Sequence, residues 1–393
     1  MKKVAIITSL SGVGGTERSL LSLLKAFPEN VCELTLLLMG EEGKLIGEVP
    51  KWVKIKHIKQ LSGTEYIKRQ IYKRSFLKAF GGVLRSLGLK YNWKKYKTDT
   101  MKQYHMAMYL FDSVAEQYDV AITWFVPNSY QTVYTLDKVN AKRKVMWIHM
   151  DVKMDKMPFD AQDYFSRYDK IFCVSKACLD SFIEIYPDCI GKAEIYYNLL
   201  DVDEVKRLAC ERCDIDDVKS FKIVTCGRVA IEKQPMYAIE IMQSLRKCGY
   251  DHVIWYFIGD GLLKTQMEQA IRKNGLEDSI VLCGIKVNPY PYVRNADLYV
   301  QMSKHESFCL TLAEAQCLGI PAITTNFKAA YEIVDDAKTG YIVEDNWKAI
   351  YDKIRELLDS EAEYMKLKEN LVSYSLTAKG SADRIVEYIK KRE

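Results

Sequence analysis

The sequence predicts an α/β protein built as two Rossmann-like domains that face each other across a cleft. Three observations carry this. Short apolar runs of strand length alternate with amphipathic runs of helix length along the whole chain. A glycine-rich turn, Gly12-Val13-Gly14-Gly15, follows the first apolar run. A polar stretch, 201–220, parts the strand–helix units into two sets. At 393 residues the chain can give each domain a core of its own.

Composition narrows the class. Hydrophobic content of 48% and charged content of 28% are ordinary for a globular protein. No run of about 18 apolar residues is present, so no spanning helix is expected. The apolar start ends at Leu10 with no small-residue cleavage site after it, which reads as a first strand rather than a signal peptide. Eleven scattered cysteines suit reduced thiols in a cytoplasm better than a disulfide framework. Cys210 and Cys213 have no second pair and no histidine to complete a metal site.

The net charge of +5 hides a strong asymmetry. Residues 51–102 carry fifteen Lys and Arg against two acids, Glu65 and Asp99. Tyr66, Ile67, Tyr72, Phe76, Leu77 and Phe80 are interleaved among them. Basic and apolar residues mixed in this way suit helices lying on an anionic membrane surface; a solvated helical face is the plain alternative. Nucleic acid is not expected, since no recognition module accompanies the charge.

In chain order, residues 4–9 form a strand that runs into the glycine turn and a helix from 18 to 26. Gly12, Gly14 and Gly15 do not match GxGxxG, and Glu33 precedes the strand 34–38 instead of closing it, so a dinucleotide cofactor is not expected. The basic segment reads as inserted helices, and 101–117 reads as helical. Strands follow at 119–124 and 144–148. His149 comes directly after the second, with Asp151 close behind, which makes it a candidate catalytic residue or an ordinary structural histidine. Residues 150–159 read as a mobile loop near an acceptor. A strand at 170–174, a helix at 177–185 and a strand at 194–197 close this half.

The second half opens with a strand from 221. Arg228 and Lys233 lie between that strand and the next helix, where two cations suit a diphosphate; solvated loop charges are the alternative. Strands at 253–258, 279–282 and 298–302 follow. The stretch 304–326 then holds Glu306 and Glu314 with seven residues between them. A loop at 307–310 leads to a helix at 311–318, which Gly319 and Pro321 end, and to a strand at 322–325. Free amides at that helix start attract an anion, and the two carboxylates can accept hydrogen bonds from hydroxyls on either side of it. A nucleotide-sugar has that shape. A helix with a surface glutamate at each end is the bland reading. A short strand at 340–343 and helices at 347–359, 361–374 and 381–391 complete the chain.

These pieces, taken in order, resemble the retaining glycosyltransferases of family four, with the two-domain GT-B fold. The resemblance rests on GVGGTE, WIHMD, VSK, YNLLD, CGRVAIEKQP, IGDG, ESFCLTLAEAQCLGIPAI and TGYIVE, and covers nearly the whole chain. It implies a donor site in which the amide of Gly15 nears the diphosphate and Arg228 and Lys233 neutralise the leaving phosphate. It implies that Glu306 meets the transferred sugar and Glu314 the ribose, that the amides of Phe308, Cys309 and Leu310 cradle phosphate and sugar, and that Ile285 and Lys286 contact the base. His149 is implied beside the anomeric centre, so that His149 and Glu306 are the catalytic residues. The family often has Gly where this chain has Cys309, which puts the donor's identity in question.

The implied reaction moves a hexose, expected to be UDP-linked, to a saccharide or lipid-linked saccharide in cell-surface polysaccharide synthesis. No cofactor and no metal are expected, because Asp201-Val202-Asp203 has the letters of a metal motif but lies in the crossover. The implied division is 1–200 for the acceptor, with the membrane-facing segment 51–102; 201–375 for the nucleotide-sugar; and a C-terminal helix in 376–393 packing back on the first domain. The expected location is cytoplasmic, peripheral on the inner membrane face. A nucleotide-sugar epimerase of the same fold, a GT-B glycan phosphorylase, which would need a lysine-bound pyridoxal phosphate, and a non-catalytic nucleotide-sugar-binding protein are the rivals.

Overall fold

A computed structural model describes residues 1–95, 100–153, 161–215, 219–372 and 382–391. The chain divides into two compact units, Met1–Leu199 with Gly380–Glu393, and Leu200–Lys379.

The first unit is a seven-stranded parallel sheet. Its strands are β1 (Lys2–Thr8), β2 (Cys32–Met39), β3 (Lys54–Ile58), β4 (Gln117–Trp124), β5 (Asn140–Ile148), β6 (Lys170–Cys173) and β7 (Ala193–Ile195), in the order β3-β2-β1-β4-β5-β6-β7. The central strands are almost continuously apolar because both faces are covered, and Val4, Ile6, Leu36 and Val120 have no exposure at all. Helix α1 (Gly15–Ala26) crosses from β1 to β2. Helices α2 (Gly63–Tyr72), α3 (Phe76–Lys95) and α4 (Thr100–Ala107) lie between β3 and β4. Helices α5 (Tyr130–Lys138), α6 (Gln162–Ser166) and α7 (Lys176–Ile185) serve the later strands.

Three expectations change here. The basic segment is not wholly helical: Lys54–Ile58 is an edge strand beside β2, and its lysines are the kind of residue that keeps a sheet edge from pairing further. Glu33 lies inside β2 rather than before it. The helix expected over 101–117 stops at Ala107, and a 3-10 turn, Met108–Leu110, follows. Contacts distant in sequence take the chain away there. Leu61 donates to the Leu110 carbonyl at 3.0 Å, and the Tyr134 hydroxyl donates to the Asp112 carbonyl at 2.7 Å. Of the loop expected over 150–159, residues 154–160 lie outside the described residues.

The last helix of the chain belongs to this unit. Helix α15 (Ala382–Lys390) buries Ile385, Val386 and Ile389. Arg143 on β5 donates to the carbonyls of Tyr388 and Ile389 at 2.8 and 3.1 Å and so satisfies the end of the helix.

The second unit repeats the plan. Its strands are β8 (Phe221–Cys226), β9 (Val253–Ile258), β10 (Ile280–Gly284), β11 (Leu298–Gln301), β12 (Ala322–Thr325) and β13 (Gly340–Val343), in the order β10-β9-β8-β11-β12-β13, all parallel. Helix α8 (Val202–Leu208) precedes them; α9 (Tyr237–Lys247), α10 (Lys264–Lys273), α11 (Tyr290–Arg294) and α12 (Leu310–Cys317) connect them; α13 (Trp347–Asp359) and α14 (Glu361–Val372) follow. Ile223, Trp255, Leu298, Ile323 and Ile350 form one buried core. In both sheets the first strand of the unit sits next to the fourth. The connections on its two sides run in opposite directions, so the loops after those strands part, leaving the crevice where such sheets bind ligands. The chain places its glycine turn after β1 and its Arg228–Lys233 segment after β8, the first strand of each unit. No described helix is long and apolar enough to cross a membrane.

Candidate functional site

In the second unit the site begins with backbone shape. Gly259, after β9, has φ +144°, and a Cβ there would lie 1.9 Å from the Gly227 carbonyl oxygen. Only glycine permits this approach. The 227–229 segment is thereby pinned to the loop after β9, with Val229 donating to the Asp260 carbonyl at 3.1 Å and Leu263 to the Val229 carbonyl at 2.9 Å. A 3-10 turn, Ile231–Lys233, follows, and Lys304 donates to the Glu232 carbonyl at 2.9 Å. That bond straps the loop after β8 to the loop after β11.

The strap brings Lys233 onto Glu306. Their ion pair is enclosed, with the two side chains only 19% and 12% exposed. Glu306 Oε1 also accepts from Ser303 Oγ at 2.8 Å and from Gln301 Nε2 at 3.2 Å. Burial alone would push the Lys233 ammonium down, but Glu306 beside it outweighs burial and holds it above the usual lysine range. Arg228 differs in kind: it is 75% exposed and pairs with Glu232 at 2.8 Å.

Helix α12 starts at Leu310, so its first-turn amides have no partners within the helix. Its N-cap is Cys309, at φ +75° and ψ +68°, a left-handed conformation that favours glycine. Where the resembled family often has Gly, this chain thus keeps the glycine-like backbone and carries a side chain on it. Phe308, Cys309 and Leu310 are all buried. Glu314, inside the helix, is buried too, and its Oε1 accepts from the Tyr290 hydroxyl at 2.9 Å. Tyr290, on α11, packs against Val205 and Ala209 at α8. Ile285 is half exposed after β10. Lys286 lies 5.0 Å from the Tyr292 ring centroid and 3.5 Å from Asp214 Oδ2. The Tyr292 hydroxyl donates to Asp214 as well, and with Lys286 holds that carboxyl below the usual range.

The first unit gathers the other two expected residues around Trp124. Gly15 is the first residue of α1, and the Gly12 amide donates to Glu17 Oε1 at 3.2 Å. The Trp124 indole donates to the Thr16 carbonyl at 3.1 Å, and the Thr8 hydroxyl donates to the Trp124 carbonyl at 2.8 Å. The His149 ring lies 4.6 Å from Trp124, centroid to centroid. His149 Nε2 is buried and has no hydrogen-bond partner among the described residues, and burial pushes the imidazole down to about 3. His149 is therefore neutral at ordinary pH. Trp124, Gln301, Ser303 and Tyr290 are the residues that sequence reasoning missed; an indole at the carboxyl end of the apolar strand 119–124 is the one signal that could have pointed to any of them.

Among the described residues no three His, Cys, Asp or Glu side chains cluster to hold a metal ion. Asp201 and Asp203 are used at the start of α8, where the Asp201 carboxylate accepts from the Glu204 amide at 3.0 Å.

Residues 215–373 match the family described as Glycosyl transferases group 1. A Campylobacter jejuni N-acetylgalactosaminyltransferase that acts on a diphospho-undecaprenol-linked saccharide is 27% identical over 200 residues, 50% of this chain and 53% of that protein. The capsular polysaccharide biosynthesis glycosyltransferase CapM of Staphylococcus aureus is 26% identical over 174 residues, 43% of this chain and 40% of that protein. The chain spans about half the length of the curated relatives it matches. Anabaena HepE, solved with UDP and glucose, superposes with a TM-score of 0.72 at 13% identity over all of both chains. Staphylococcus aureus TarM, solved with UDP and saccharides, gives a TM-score of 0.68 at 14% identity, again over all of both chains. At such identities these structures speak to the fold, which is GT-B. Together the matches support a glycosyltransferase family.

Two outcomes follow from the geometry. The left-handed backbone of Cys309 predicts that Cys309→Gly will be more stable than Cys309→Ala by about 1 kcal/mol in urea unfolding; equal stabilities would contradict the strain. For His149, the unfolded chain takes up a proton below pH 6.5 that the folded chain refuses until about pH 3. The stability this group contributes is full above pH 6.5 and is lost as pH falls. Melting temperature between pH 6.5 and 4 should therefore drop more steeply for wild type than for His149→Gln.

Proposed function

We propose that this protein is a metal-independent, retaining hexosyltransferase that takes its sugar from a nucleotide-sugar, UDP-linked, and gives it to a saccharide or lipid-linked saccharide in cell-surface glycan synthesis. The single observation that carries the proposal is the enclosed Lys233–Glu306 pair beside the start of α12. It sets a cation, a carboxylate and helix amides side by side. A diphosphate needs the first and third, and a sugar's hydroxyls need the second.

The reaction follows from charge. The bond between the anomeric carbon and the β-phosphate oxygen breaks, leaving negative charge on the diphosphate and oxocarbenium character on the sugar. Lys233, Arg228 and the amides at 308–310 stabilise the first. The acceptor hydroxyl attacks on the leaving-group face, which retains configuration, and its proton passes to the departing diphosphate. Glu306 binds sugar hydroxyls and is not a nucleophile. Glu314 holds the ribose, Ile285 and Lys286 the base, and Gly15 contributes an amide to the diphosphate. His149 acts on the acceptor side as a neutral imidazole.

The acceptor and the site of action are assigned to the cytoplasmic face of an anionic membrane, supported by one face of the α2–α3 hairpin. Tyr66 packs edge-on against Tyr109 at 5.0 Å, and Ser86 bonds the Tyr109 hydroxyl at 2.9 Å, which docks one side of the hairpin. On its other side Tyr72 and Leu77 are 90% and 91% exposed, and Phe76, Phe80, Leu84 and Leu87 are exposed with them. Lys73, Arg74 and Lys78, also exposed, lie among them. The mixture suits a headgroup layer, with apolar groups inserted and cations at the surface.

Incubating the chain with UDP-, GDP- and ADP-hexoses and following nucleotide release tests the first part. Each single change, Glu306→Ala or Lys233→Ala, should lower release by about a hundredfold or more, since preorganised charge at such a site is worth about 3–4 kcal/mol; the melting temperature should fall because the remaining charge is left enclosed and unpaired, with a cooperative transition still above the assay temperature; wild-type rates in either variant would contradict the assignment. In vesicle flotation, wild type should bind phosphatidylglycerol-containing vesicles and not neutral ones. Reversing Lys73, Arg74 and Lys78 to Glu should weaken binding on the order of a hundredfold or more, at about 1 kcal/mol per basic residue. Equal binding to both kinds of vesicle, or none to either, would refute the membrane assignment.

A further inference from the structure

Glu306 is supplied from below by a chain of buried polar groups that no assigned role uses. Tyr299, Gln301 and Ser303 are 0%, 1% and 0% exposed; Tyr299 lies inside β11, Gln301 ends it and Ser303 follows just beyond. The Tyr299 hydroxyl donates to Gln301 Oε1 at 2.9 Å, and a longer contact of 3.3 Å to the Cys226 carbonyl shares the same proton. Gln301 Nε2 donates to Ser303 Oγ at 2.6 Å and to Glu306 Oε1 at 3.2 Å. Ser303 Oγ donates in turn to Glu306 Oε1 at 2.8 Å.

The direction of every proton is fixed. Turning the Gln301 amide over would set its oxygen against the Glu306 carboxylate and would leave Ser303 without a donor. Three donors therefore meet on one oxygen: the Lys233 ammonium, the Ser303 hydroxyl and the Gln301 amide. Glu306 Oε2 accepts from no described group. The result is a carboxylate with one oxygen saturated by the protein and the other left for a ligand. Lys233, bonded to the saturated oxygen, keeps two of its three N–H groups for other acceptors.

We propose that Gln301 and Ser303 are positioning residues for the transfer: by occupying Oε1 they hold Glu306 in the one rotamer that offers Oε2 to a hydroxyl of the transferred hexose. This rests on the reading of the site given above. Its consequence is a split between sugar and nucleotide. Nucleotide binding uses Lys233 as well as Glu314, Arg228 and the start of α12; Lys233 bonds Glu306 directly and not through Gln301 or Ser303, whereas the sugar's orientation passes through both. A merely structural role would weaken both together.

The experiment uses the full chain, with UDP-glucose, UDP-galactose, GDP-mannose and ADP-glucose as donors and the matching nucleoside diphosphate as the binding probe. Ser303→Ala and the near-isosteric Gln301→Met should each lower kcat roughly ten- to a hundredfold, the size of a lost hydrogen bond to a charged group. The calorimetric Kd for the nucleoside diphosphate should stay within about twofold of wild type. Ser303→Thr, which keeps the hydroxyl, should recover most of the loss, and Gln301→Met serves should Ser303→Ala fail to fold. Unchanged kcat in both variants, or a nucleotide Kd that weakens in step with kcat, would overturn the inference. Wild type that releases no nucleotide from any of the four donors would overturn the reading of the site, and the inference with it.

Discussion

The ion pair between Lys233 and Glu306 is the constraint on which the rest of the second unit's site depends. Taking two charges out of water is costly, and an enclosed pair of this kind is often no more stabilising than apolar side chains of similar volume. Its presence is therefore not explained by stability. Geometry explains it better. The pair joins two loops from opposite sides of the point where the strand order reverses, one after β8 and one after β11, and the backbone bond from Lys304 to the Glu232 carbonyl does the same a few ångströms away. Without that junction the cation and the carboxylate would sit on separate loops with no fixed relation. With it they form a rigid unit, and the buried chain from Tyr299 through Gln301 and Ser303 fixes which oxygen of Glu306 the protein uses.

The start of α12 shows the same preference for geometry over local ease. A left-handed residue before a helix turns the chain sharply, and a glycine would accept that backbone freely. Cys309 accepts it at a cost, held by burial on all sides. Strain of this order persists only where the surrounding structure over-determines the backbone, and here the loop is pinned by Glu306 on one side and by the buried helix on the other. The conformation that aims the amides of 308–310 is thus kept even though the residue best suited to it is absent.

Much of this was legible in the chain. The spacing of Glu306 and Glu314 could be read because Gly319 and Pro321 mark the end of the helix between them and the next strand. The two sheets were legible because their central strands are continuously apolar. What could not be read depends on partners distant in sequence. Gln301 and Ser303 look like ordinary polar residues at a strand end; only the pairing of β8 with β11 brings Lys233 within reach of the same carboxylate. Strand β3 was hidden because an edge strand carrying lysines has no apolar run to betray it. The helix over 101–117 looked longer than it is because its periodicity continues past Ala107, while contacts from Leu61 and Tyr134 decide where it stops.

Four cations of the second unit already have a carboxylate: Arg228 has Glu232, Lys233 has Glu306, Lys264 has Asp260 and Lys286 has Asp214. Under the proposed function a diphosphate must compete with these partners. The competition is uneven. The exposed Arg228–Glu232 pair is worth at most about 1 kcal/mol, so a phosphate can displace Glu232 at little cost. The Lys233–Glu306 pair is enclosed, and breaking it would strand a buried charge. Lys233 need not break it, because an ammonium has three donors and Glu306 takes one. Arg228 is thus the cation that changes partners when an anion arrives, and Lys233 the one that adds a partner while keeping its first. Since Glu306 stays bonded to Lys233 throughout, a phosphate on the ammonium and a sugar hydroxyl on the carboxylate would, under the proposed function, be held in a fixed relation to each other.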